Sequence, residues 1–167
     1  MKKFFILLSI IFTFTSQANA ALKNLKTSSV CSLLSEYGLQ TYKDWNYYDE
    51  YIGWGCNSGY KEIGVGSKYS LHNNLAFYVE GNNSVVKKVY LVLNVNNKND
   101  AKSGHKALLE ASSSLHQKVA GKHIQKSIET AIKNGHSLKT NNETYNIEVK
   151  RDNWPTGKGY EIHFIIY

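Results

Sequence analysis

Residues 75–95 read LAFYVEGNNSVVKKVYLVLNV, and this stretch decides the fold. Successive side chains of a strand point to opposite faces. Leu75, Phe77 and Val79 therefore share one face, with Ala76 and Tyr78 on the other. Gly81-Asn82-Asn83 has turn chemistry. Beyond it, Val89, Leu91, Leu93 and Val95 line one face, and Lys88, Tyr90, Val92 and Asn94 the other. Two such runs joined by a short polar turn predict an antiparallel hairpin with one apolar face.

Downstream of the hairpin the apolar period changes. Asn99-Asp100 offers a helix cap, and Ala101, His105, Leu108, Ser112, Leu115 and Val119 follow at alternating spacings of four and three. That is a helix of about five turns, ended by Gly121. Ile124, Ile128, Ala131 and Ile132 mark a second helix, closed by Lys133-Asn134-Gly135. Two alternating strands finish the chain, Thr144 to Arg151 and Tyr160 to Tyr167, with a turn across residues 152–157.

Upstream, Val30, Leu33, Leu34 and Tyr37 at helical spacing predict a helix over Thr27–Leu39. Trp54-Gly55-Cys56 and Tyr60 to Gly66 read as strands, with Asn57-Ser58-Gly59 as the hairpin turn between them. The expected architecture is α+β. It is a two-layer sandwich with an antiparallel sheet of about five to six strands, an N-terminal helix and two central helices packed on one face. The other face would carry Tyr78, Tyr90, Asn94, Glu148, Lys150, Glu161 and His163, the mixed surface of a solvated or partner-binding sheet.

Ahead of the domain stands a leader. Met1-Lys2-Lys3 precedes an apolar run from Phe4 to Phe14, then Thr15-Ser16-Gln17-Ala18-Asn19-Ala20. A basic start, a core of about 11 apolar residues and an Ala-x-Ala site define a signal peptide. The run is shorter than the roughly 20 residues a spanning helix needs. Cleavage is expected between Ala20 and Ala21, leaving residues 21–167 as a single domain with no membrane anchor. Lys-, Asn- and Tyr-rich usage behind such a leader points to a bacterial periplasmic or secreted protein.

Only two cysteines occur, Cys31 and Cys56. In an oxidising compartment such a pair is expected as a disulfide rather than as a metal or catalytic site. Loss of Lys2 and Lys3 with the leader takes the formal charge from +7 to +5. The lysines are scattered, with no run longer than Lys87-Lys88, so no nucleic-acid footprint emerges.

Chemistry-bearing motifs are sparse. Ser103-Gly104-His105-Lys106 fits Ser-x-x-Lys, but the Ser-Asp-Asn and Lys-Thr-Gly partners of that motif do not occur. There is no Walker loop and no His-Glu-x-x-His. His116 reads as a helix-flank residue, and His163 shares a strand face with Glu161 either as a surface pair or as a base with its orienter. No catalytic residue, metal site or cofactor is assigned.

The unusual feature is an aromatic tract. Tyr42, Trp45, Tyr47, Tyr48, Tyr51, Trp54 and Tyr60 are crowded into nineteen residues, with Asp44, Asp49 and Glu50 among them. Such rings either cover one end of a small core or form an interface of rigid, amphipathic side chains. Trp45, Tyr47, Tyr48, Tyr51 and Trp54 are the candidate binding residues. The broad architecture is similar to small periplasmic α+β proteins, among them immunity or inhibitor proteins and secretion-associated chaperones. The aromatic-acidic tract, with no convincing catalytic set beside it, leads to the expectation of a non-enzymatic periplasmic binding protein whose partner is another protein. Two alternatives are a small cell-wall-directed hydrolase and an accessory chaperone of a secretion or surface-fibre system. The chaperone would accept a strand at an exposed sheet edge, for which Tyr160 to Tyr167 is the candidate.

Overall fold

The structure is a computed structural model that describes residue 22 and residues 25–64, 71–141 and 144–167. The leader and its cleavage site lie outside the described residues, as do residues 65–70. The central hairpin forms as its alternation dictates. Strand β4 (Asn73–Gly81) pairs with β5 (Val86–Val95) in the register Leu75↔Leu93, Phe77↔Leu91 and Val79↔Val89. Asn82 closes the turn: its Oδ1 accepts from the backbone N–H of Ser84 and Val85.

Helix α2 (Ala101–Ala120) and helix α3 (Lys126–Asn134) follow, each ended by a glycine in the left-handed region, Gly121 and Gly135. Strands β6 (Leu138–Asn141), β7 (Asn146–Asn153) and β8 (Tyr160–Ile166) complete the chain. Together with β1 (Asn46–Tyr47), β2 (Trp54–Asn57) and β3 (Lys61–Ile63) they form one eight-stranded antiparallel sheet of order β1-β2-β4-β5-β8-β7-β6, with β3 also on β4. The α+β class holds. The strand count exceeds the expected five to six because β1 and β6 are too short to show an alternation.

The helices pack on the sheet face that carries Phe77, Leu91, Leu93, Ile162, Phe164, Ile147 and Val149, all fully or almost fully buried. Gly104 lets α2 lie close on β5, since a Cβ there would stand 3.1 Å from Leu93 Cδ1. The opposite face is left to the polar and aromatic side chains expected on it. Polar anchors fix the helical layer. Buried Asn73 donates to the carbonyls of Asn97 and Asp100 and accepts from the N–H of Asn97, which sets the start of α2. His105 bridges the Lys133 carbonyl and the Tyr160 hydroxyl, 2.9 Å from each, and Arg151 lies 3.6 Å over the Tyr160 ring.

Four local expectations are corrected. The helix over Thr27–Leu39 is α-helical only as α1 (Thr27–Val30), after which come turns and a 3-10 turn at Ser35–Tyr37. The cause is serine: Ser29, Ser32 and Ser35 each donate a hydroxyl to the carbonyl three residues back, an alternative to helical bonding. Val30 and Leu34 still reach the core, both fully buried.

Second, β2 and β3 do not form a hairpin with each other. Both pair with β4, end to end along the same edge. Ser58 makes the join, because its N–H donates to the Phe77 carbonyl and its Oγ accepts from the Phe77 N–H. Third, His116 is not at a helix flank; it is 2% exposed. Fourth, β8 is no edge, for it lies between β5 and β7. The far edge is β6, so the strand-addition reading loses the strand assigned to it.

Cys31 and Cys56 are bonded, with Cα atoms 5.9 Å apart, which ties the N-terminal segment to β2. Lys118 ties the same segment to α2 by pairing with Glu36 and donating to the Leu33 carbonyl. Among the described residues no helix is long and apolar enough to cross a membrane. That and the disulfide are compatible with an exported protein.

Candidate functional site

The aromatic tract folds into a small hairpin at one end of the sheet. Strands β1 and β2 pair as Asn46↔Gly55 and Tyr47↔Trp54, and residues 48–53 form the tip. Asp49 builds the tip: its Oδ1 accepts from the N–H of Tyr51 and of Ile52, and its carbonyl accepts from Gly53. Gly53 stands at φ +77°, a conformation that favours glycine. The N–H of Tyr48 then donates to the Gly53 carbonyl at 2.9 Å. A short loop with this many internal bonds presents its side chains in a fixed array.

Those side chains divide by strand face. The rings of Tyr47 and Trp54 meet at 6.0 Å on the helix side, and Trp45 leans on the core close to Gly81. Trp45 and Trp54 are half-buried. Tyr47 is 54% exposed and Tyr51 91%, and Tyr48 is also open to solvent. The five sequence candidates therefore lie on one hairpin but split, two tryptophans anchoring it and three tyrosines standing outward. Tyr42, Ile52 and Tyr60, outside that set, are exposed beside them. The tyrosines could have been added from their neighbourhood in the tract; Ile52 gives no signal of its own.

The hairpin continues onto the open sheet face. The Tyr48 hydroxyl donates to Asn57 Oδ1 at 2.6 Å. Asn57 is the cross-strand partner of Tyr78, which stacks on Tyr90 with centroids 5.0 Å apart. Tyr90 donates to Glu80 at 2.5 Å, and Lys88 pairs with the same carboxylate at 2.6 Å. Burial, more than the hydrogen bonds to Tyr60 and Glu80, pushes the Tyr78 and Tyr90 hydroxyls far above the usual phenol range. Both are neutral, hydrogen-bonding platforms rather than bases.

Farther across this face, His163 Nε2 lies 2.9 Å from Glu161 and 3.8 Å from Asp152, with Lys150 bonded to Asp152 at 2.7 Å. The base-and-orienter geometry suggested by the sequence is present, within a cross-strand network of opposite charges. The Ser-x-x-Lys elements do not meet. Ser103 donates to Asp100 at 2.5 Å, while Lys106 extends to Glu110 in solvent. Among the described residues no group of three or more His, Cys, Asp or Glu is placed to hold a metal ion.

Fold and site thus define a disulfide-stapled α+β domain with helices on one face of its sheet and an ordered aromatic hairpin at one end. Comparison with protein-family models, curated proteins and solved structures finds no match for this chain.

Proposed function

We propose that this chain is an exported, non-enzymatic binding protein that acts by protein–protein contact through the hairpin of residues 42–60. One observation carries the reading. Of the seven large hydrophobic side chains exposed among the described residues, six fall in this tract: Tyr42, Tyr47, Tyr48, Tyr51, Ile52 and Tyr60. Scattered exposed apolar residues need no explanation, but six crowded into one tract at one end of the sheet mark a contact surface. Tyrosine suits the task, since it offers rigid area at low entropic cost and a polar tip. Export rests on the leader at residues 1–20 and on the disulfide, which persists in an oxidising compartment; the periplasm is the compartment proposed.

The test is affinity capture with the mature, oxidised protein from envelope extract, run beside a Tyr47→Ala/Tyr51→Ala variant. A stoichiometric protein partner retained by the parent and lost by the variant is expected. A partner held equally by both would remove the hairpin as the site. A second reading, a small cell-wall-directed hydrolase, is favoured only by the His163–Glu161 contact. Release of a small product from wall material, abolished by His163→Ala, would replace the binding reading.

A further inference from the structure

We infer that the partner of the hairpin is a basic protein surface, held by cation–π contact with the exposed tyrosines and by carboxylates left open beside them; this rests on the docking reading above. The side-chain carboxylates of the described residues differ in their partners. Glu36, Glu62, Glu80, Glu110, Glu129, Glu148, Asp152 and Glu161 each have a Lys or His nitrogen within 4.0 Å. Asp100 accepts from Ser103. Asp44, Asp49 and Glu50 make no ion pair among the described residues, and all three are exposed between the tyrosines. On a chain with twenty Lys and Arg against thirteen Asp and Glu, neutralising cations are plentiful. Among the described residues four acids have no such cation: Asp100, which is bonded to Ser103, and Asp44, Asp49 and Glu50, which all flank the exposed rings.

The nearby lysines do not cancel this charge. Lys61 is turned away to the Tyr37 carbonyl at 2.6 Å, and Lys43 is the one cation within residues 42–60 against Asp44, Asp49 and Glu50. Aromatic faces attract Lys and Arg, and adjacent carboxylates add ion pairing to that attraction. The remainder of the chain carries a net positive charge, which disfavours the same partner there. A basic surface is therefore steered to the hairpin and held there in one orientation. An acidic protein would be drawn instead to the lysines of α2 and α3.

Amide NMR on the mature, oxidised, 15N-labelled protein tests this, with a short arginine-rich peptide and its glutamate counterpart as probes. The cationic peptide should shift residues 42–60 saturably and lose affinity several-fold between about 0.02 and about 0.3 M salt. Asp44→Asn/Asp49→Asn/Glu50→Gln should weaken it about tenfold, from three exposed charge contacts of modest strength. Asp49→Asn keeps the side-chain oxygen that builds the tip, so the loop survives the loss of charge. An equal response to the glutamate peptide, shifts centred on Glu110 and Glu129, or undiminished binding by the triple variant would each overturn the inference.

Photo-crosslinking from position 51 in envelope extract separates the two levels. A captured protein whose affinity is insensitive to salt and to the triple substitution leaves docking standing and removes the basic partner. Crosslinking to no protein, with a wall glycan shifting the hairpin amides instead, removes both.

Discussion

The long strands of the sheet and the N-terminal segment with its hairpin are specified in different ways. Strands β4, β5, β7 and β8 carry seven to ten residues each, alternate over most of their length apart from an irregularity at Glu80/Gly81, and bury one face under α2 and α3. Each of their apolar residues is wanted in the same place by its own strand, by its neighbours and by the helices. Residues 27–57 have little of that redundancy. Their helix lapses into serine-bonded turns, their strands hold two and four residues, and they are fastened by the short β2–β4 pairing, by Val30 and Leu34 in the core, by one disulfide and by the Lys118 contacts. Consistency among local and global preferences makes the first region robust. The second depends on a few named bonds, which suits a segment whose outer side chains face solvent.

The sharpest way to break this comparison is to cut each region at its centre. Phe164 is fully buried and paired with Leu91 and Val149 across three strands. Phe164→Ala should cost about 3–5 kcal/mol by lost burial and cavity formation, seen as a lowered urea midpoint and a loss of protection in every strand. Replacing Cys31 and Cys56 by Ala opens a separation of 25 residues. It should cost about 3 kcal/mol in the chain-entropy account, with hydrogen exchange rising first in residues 27–57. If the cysteine variant instead loosened β7 and β8 as much as β2, the two regions would be one cooperative unit.

What could be read in the sequence follows the same division. The β4–β5 hairpin, α2 with its glycine stop, α3 and the last two strands were legible because period and length agree over many residues. So was the open face, down to Tyr78, Tyr90, His163 and Glu161. The end-to-end pairing of β2 and β3 was not, because Ser58 replaces a ladder step with its hydroxyl, and a serine between glycine and asparagine reads as a turn. The burial of His116 was hidden for a related reason: its partners, Lys122 and Tyr145, come from beyond the helix. The aromatic tract was visible as composition. Its division into anchoring tryptophans and outward tyrosines needed the Asp49 turn, which no periodicity encodes.

His116 offers a finer probe of the helical layer. Its Nδ1–H donates to the Lys122 carbonyl at 2.9 Å, and its Nε2 accepts from the Tyr145 hydroxyl at 3.2 Å. This is a neutral imidazole, and burial holds its proton affinity below the ordinary value of 6.5. The unfolded chain then binds the extra proton more readily. Stability should be full above about pH 6.5 and should fall as the pH drops through and below it. Glu36 and Glu129, lowered by hydrogen bonds to Lys118 and Lys126 respectively, lose their contribution only below the ordinary carboxylate range near 4.5. Urea midpoints between about pH 8 and pH 5.5 therefore separate the histidine range from these carboxylates, and the variant assigns the slope. His116→Gln should flatten that slope; an unchanged slope would place the titrating group elsewhere.

The smallest effect is the one that bears most on what the hairpin is for. A tyrosine in a core patch and a tyrosine in a contact surface differ in what their removal costs the free protein. Tyr51 is 91% exposed at a tip whose shape is set by Asp49 and Gly53, through main-chain bonds in which its ring has no part. Tyr51→Ala should move stability by no more than about 0.5 kcal/mol, as for surface positions in general. Trp54→Ala, which strips a half-buried ring from contact with Tyr47, should cost clearly more. Parallel urea titrations of the two variants decide the matter. A Tyr51 variant as destabilised as the Trp54 variant would make the whole tract a cover for the disulfide end of the core. A neutral one leaves a large aromatic side chain in water that is free for contact with another molecule.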